Sequence, residues 1–119
     1  MAALPETGEL IAAVRLFLAE AEKQLDGRAA FHAKVAGNAL AIVERELAQK
    51  PAEAERSILA TLLGHDGEGA ALRAEVCAAL REGRMDVATP GLVDSLLAAA
   101  AAQLAVDNPK YATLARLGD

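Results

Sequence analysis

Residues Arg28 to Leu47, RAAFHAKVAGNALAIVEREL, decide the fold. Phe31, Val35, Ala39, Ile42, Val43 and Leu47 recur at three- and four-residue steps, the spacing that puts side chains on one face of an α-helix. Arg28, His32 and Glu46 fall inside the same arc, and Asn38 falls at its edge beside Phe31. A polar group buried without a partner is destabilising by roughly 1 to 3 kcal/mol. The pattern therefore predicts either an internal hydrogen-bond network or a site. Arg28 and Glu46 lie too far apart along one helix to pair, so each is expected to meet another helix or another subunit.

Upstream, Leu10, Ile11, Val14, Phe17, Leu18, Ala21 and Leu25 form a second apolar stripe, with Thr7 as its expected N-cap. Asp26-Gly27 is a helix stop and restart, and so short a connection makes the first two helices an antiparallel hairpin. Downstream, Pro51 fits the first position of a third helix, with Glu53 and Glu55 against its N-terminal dipole and Gly64 at its end. GHDGEG, Gly64 to Gly69, is a loop by its glycines. A fourth helix carries Leu72, Val76, Ala79 and Leu80 and closes at Gly83. Thr89-Pro90 predicts the start of a fifth, bearing Leu92, Val93, Leu96, Leu97, Ala100 and Leu104, and Asp107-Asn108-Pro109 ends it. The tail from Lys110 has room for one more turn.

Composition agrees with this reading. Alanine makes up about a quarter of the 119 residues, aromatics are 3%, and β-branched residues are few, which favours helix over strand. The net charge of −5 and the scattered Lys and Arg argue against nucleic acid and anionic membrane as partners. The longest apolar run, Leu96 to Ala102, is far shorter than the roughly 20 residues of a membrane span. The N-terminal residues lack a basic lead and a signal-type apolar run, and a single cysteine, Cys77, excludes an internal disulfide, so a reducing cytoplasm is the expected setting.

The chemistry-bearing residues are few. His32 has the side chain of a general base, but one turn from Arg28 it reads as a hydrogen-bonded neutral histidine. Asn38 on an apolar face reads as a backbone-bonding amide or as a residue that sets register in a helical assembly. His65, Asp66 and Glu68 sit together in a loop without a calcium-loop spacing, and the two histidines are in different elements, so no metal is expected. GHDGEG lacks the Lys-Ser/Thr ending of a phosphate-binding loop, and Ser57 and Ser95 have no nucleophile-elbow context. Cys77, at the margin of the fourth helix's apolar arc, reads as a small hydrophobe.

Three motifs stand in order: DGRAAFHAKVAGNALAIVEREL, LLGHDGEGAALRAEVCAALREG and LAVDNPKY. Together they resemble a small bacterial all-helical domain family of unknown function, over roughly Glu9 to Tyr111. The resemblance implies polar signature positions at Asp26, Arg28, His32, Asn38, Glu44, Arg45, Glu46, Asp107, Asn108 and Tyr111. It also implies company, since members are found beside or fused to aminoglycoside-phosphotransferase-like kinases and acyl-CoA dehydrogenases.

The sequence thus predicts an all-α, up-and-down bundle of about five helices in a single domain, residues 1–119. The leading function is a non-catalytic accessory module that binds a partner protein, by the resemblance an acyl-CoA dehydrogenase or a phosphotransferase-like kinase, with no cofactor. The alternative is a small-molecule pocket for a carboxylate or phosphate built from Arg28, His32, Asp107 and Tyr111, with Asn38 and Asn108 beside it. Antiparallel packing of the fifth helix on the second would bring Asp107 to Arg28. A homodimer through the first or second helix is also expected, because an inward Asn38 and Glu46 need partners.

Overall fold

The computed structural model describes residues 4–117. They form six α-helices and no strand: α1 (Thr7–Gln24), α2 (Gly27–Gln49), α3 (Pro51–Leu63), α4 (Gly69–Arg81), α5 (Leu92–Asp107) and α6 (Ala112–Leu117). The short α6 is the extra turn for which the tail left room. The chain divides into two compact units, residues 1–48 and 49–119.

The first unit is α1 with nearly all of α2. Pro5 precedes an extended Glu6, whose carbonyl accepts from Leu10 N at 3.1 Å. The first turn therefore begins one residue ahead of the expected cap, and Thr7 is helical. Leu25 is extended and Gly27 takes φ +56°, a left-handed value that glycine adopts without strain, so the chain reverses between the helices. Arg15 Nη1 donates to Glu44 Oε2 at 2.6 Å and holds the pair side by side. Ala33 is buried, and Gly37 and Glu44 are partly so, on the side of α2 that meets α1.

That geometry corrects the sequence reading of α2. Phe31, Val35, Val43 and Leu47 are exposed, and so are Arg28, His32, Asn38 and Glu46. Periodicity identifies an apolar face but not the surface that covers it. Here the small residues Ala33 and Gly37, with no bulk at Cβ, occupy the side turned toward α1.

The second unit has a conventional core. Leu59 of α3, Leu72 and Val76 of α4 and Leu92 of α5 are buried together, with Ala60, Leu62, Leu63 and Met85 packed against them. Pro51 starts α3 at its first position after Lys50 at φ +49°, and Gly64 ends it at φ +81°, its N–H donating to Ala60 O at 2.9 Å. α4 ends where Arg84 N and Met85 N both donate to Ala79 O, at 2.9 and 3.1 Å.

α5 begins at Leu92, two residues after the expected Thr89-Pro90 start. The Thr89 hydroxyl is already engaged, since its Oγ1 accepts from Asp86 N at 2.9 Å while Asp86 Oδ1 accepts from Ala88 N at 2.8 Å. That local turn competes with a cap. Gly91, at φ +82°, takes the capping position instead. Asn108 N donates to Leu104 O at 2.7 Å and closes α5 before Pro109. Val93, Leu96 and Leu97 on α5 are exposed, as is Leu80 on α4, which the sequence placed with the inward residues.

Candidate functional site

The sequence-derived candidates fall into two groups. Arg28, His32 and Asn38 stand on α2 in the first unit, whereas Asp107, Asn108 and Tyr111 stand at and beyond the end of α5 in the second. All six are exposed. Asp107 Oδ1 accepts from Gln103 Nε2 one turn earlier at 3.1 Å, and Tyr111 N donates to Asn108 O at 3.1 Å. A pocket drawn from both groups therefore has no support within either unit.

On α2 the steps from Arg28 to Phe31, Val35 and Asn38 are three, four and three residues, so these side chains share one helix face. Phe31 and His32 meet edge to face, their ring centroids 6.1 Å apart and the planes at 71°. The result is an accessible aromatic and aliphatic strip bordered by an arginine, an imidazole and an amide. Asn38 also lines a cleft of about 230 Å³ between α1 and α2, with Arg15, Ala19, Glu22, Ala33, Lys34 and Gly37. That volume is below the roughly 300 to 1,000 Å³ of small-molecule sites.

The second unit carries a charged lattice that the sequence reading did not assemble. Arg73 on α4 holds Glu55 on α3 with two parallel hydrogen bonds, Nε to Oε1 at 2.7 Å and Nη2 to Oε2 at 2.6 Å. Arg56 on α3 donates to both Glu53 and Asp66, and its guanidinium lowers the Glu53 carboxyl below its ordinary value. The i,i+3 spacing of Glu53 and Arg56 was available in the sequence. The Glu55–Arg73 pair, 18 residues apart, was not.

His65 sits in the loop between α3 and α4. Its Nε2 lies 3.0 Å from Glu75 Oε1 and its Nδ1 lies 3.0 Å from Asp66 O. Carboxylate and carbonyl both accept, so both ring nitrogens must donate, and that favours the imidazolium. The Glu75 hydrogen bond is the main reason the His65 pKa is raised above its ordinary value, followed by the Asp66 carbonyl. An imidazole with both nitrogens engaged offers no lone pair for general-base work. The neighbouring open cleft of about 470 Å³, lined by Arg56, Thr61, His65 and Asp66 among others, has its cationic groups already paired with carboxylates. No cluster of His, Cys, Asp and Glu among the described residues could hold a metal ion. Cys77 is exposed, because it lies one residue, or 100°, beyond the buried Val76.

The described residues are thus all-helical in both units, with polar clusters that tie helices and loops together and no helix long and apolar enough to cross a membrane. The chain belongs to the family described as Domain of unknown function (DUF6285), whose model matches residues 23–111, from the end of α1 to Tyr111. No curated protein matches the chain. No solved structure matches it either.

Proposed function

We propose that the chain is a non-catalytic accessory module that binds a partner protein through the outer face of α2. The supporting observation is that Phe31, 64% exposed, and Val35 stand in the open beside Arg28, His32 and Asn38. Interface cores are enriched in aromatic residues and arginine, and an exposed aromatic bordered by polar groups is their usual form. All five residues fall within the segment matched by the family model. On the association that the sequence resemblance implies, the partner we propose is an acyl-CoA dehydrogenase or an aminoglycoside-phosphotransferase-like kinase.

Titration of the chain against each of those two enzymes from its own source tests the reading. One of them binds, and Phe31→Glu weakens that binding by at least about tenfold, the scale of an interface hot spot. His32→Gln, which keeps a hydrogen-bonding side chain but cannot titrate, leaves binding and enzyme activity intact. Loss of activity by orders of magnitude in His32→Gln with binding retained would overturn the accessory reading in favour of acid-base chemistry.

A further inference from the structure

A second exposed apolar face of the first unit is shared between α1 and α2. Leu10, Val14 and Phe17 on α1 are spaced by four and three residues, and Leu40, Val43 and Leu47 on α2 by three and four. Each set has the three- and four-residue spacing of a coiled-coil seam. The Arg15–Glu44 ion pair fixes the antiparallel register. At 1.5 Å of rise per residue it sets Val14 level with Val43, Leu10 with Leu47 and Phe17 with Leu40, each to within about 3 Å. Helix geometry turns both seams to the same flank of the hairpin, the α1 seam about 130° from the side that carries Arg15 and the α2 seam about 70° from the side that carries Glu44.

This flank is open. Leu10 is 53% exposed, Val14 48%, Phe17 70%, Val43 40% and Leu47 44%. The five side chains present apolar surface of the order of 400 Å². A stable interface of about 800 Å² per partner, some 65% apolar in homodimers, needs roughly 500 Å² of apolar area from each side. The flank supplies most of it.

We infer that the α1–α2 flank binds the same flank of a second copy of this chain, closing a four-helix bundle across a two-fold axis. A two-helix face needs a two-helix face of equal width to cover it, and a second copy brings one of matching area, whereas a single helix would leave one seam open. Neither seam carries a charge, so pairing of the seams themselves buries none even though the chain is net −5.

Sedimentation equilibrium of the full chain tests this, with circular dichroism on every variant. The wild type sediments at twice its 12.3 kDa mass. Val14→Glu runs as a monomer with its helicity retained, and Phe17→Ala weakens dimerisation by at least about tenfold. Leu16→Glu, on the opposite side of α1, leaves the dimer intact. Should Val14→Glu lose helicity, the milder Phe17→Ala decides. A wild type that stays monomeric up to about 1 mM would overturn the inference and assign the flank to another part of the same chain or to a different protein. A dimer unmoved by Phe17→Ala would overturn it by placing the interface elsewhere.

Discussion

Arg15 and Glu44, 29 positions apart in sequence, join α1 to α2 through a hydrogen-bonded ion pair of 2.6 Å, while the second carboxylate oxygen of Glu44 is buried without a hydrogen-bond partner. The pair is thus half satisfied. It aligns two helices that bury little else between them, since Ala33 is the buried residue of the hairpin. Partly exposed pairs of this kind contribute about 0.2 to 1 kcal/mol. A double-mutant cycle of Arg15→Ala and Glu44→Ala, read by urea unfolding, is expected to give a coupling of that size. Additive single mutants would show that the pair is incidental to the hairpin.

Gly37 and Gly64 are expected to respond in opposite directions to alanine. Gly37 lies in mid-helix, and a Cβ built there meets nothing within 4 Å, so Gly37→Ala should stabilise the protein by about 0.5 to 1 kcal/mol. Gly64 also has free space, but it ends α3 at φ +81°, where a side chain is strained, so Gly64→Ala should destabilise by about 1 kcal/mol. Thermal midpoints of the two variants check the contrast, and a common sign would refute it.

The contrast between these glycines marks how much the sequence disclosed. The all-helical class, the Pro51 start and the Gly64 stop follow from backbone chemistry that acts within a few residues, and each stands in the structure. The start of α5 shifted because the Thr89 hydroxyl had a nearer donor, Asp86 N, a choice that composition does not reveal. The outward turn of Phe31 and Val35 was hidden for a different reason: a helical period locates a face, while burial depends on what the remainder of the chain brings to it. The Glu55–Arg73 and His65–Glu75 partners depend on how α3 and α4 meet, which no local spacing encodes.

His65 makes stability depend on pH with a definite sign. Its pKa is raised in the folded protein, chiefly by the Glu75 hydrogen bond, so the folded state holds the proton more tightly than the unfolded state does. The contribution is fully present below the unfolded value of about 6.5 and fades as pH rises through the higher folded value. His65→Gln is therefore expected to lower the thermal midpoint at pH 5.5 and to have a smaller effect at pH 8.5. Proton NMR titration of the two histidines should place His65 above the model-peptide value. A midpoint difference that grew with pH would contradict the assignment.

Burial sets the expected ranking of side-chain truncations. Leu72 is 1% exposed at the centre of the α3, α4 and α5 core, and removing its isobutyl group leaves a cavity that neighbouring helices cannot readily fill. Leu72→Ala should destabilise by about 2 to 4 kcal/mol. Phe31 is the larger side chain and stands in the strongest apolar pattern of the sequence, yet at 64% exposure it loses little contact on truncation. Phe31→Ala should change the stability of the isolated monomer by no more than about 0.5 kcal/mol. Both are read from urea midpoints at a protein concentration low enough to exclude association. If Phe31→Ala proved as damaging as Leu72→Ala under those conditions, the outer face of α2 would be part of the monomer's core, and the docking role proposed for it would fall.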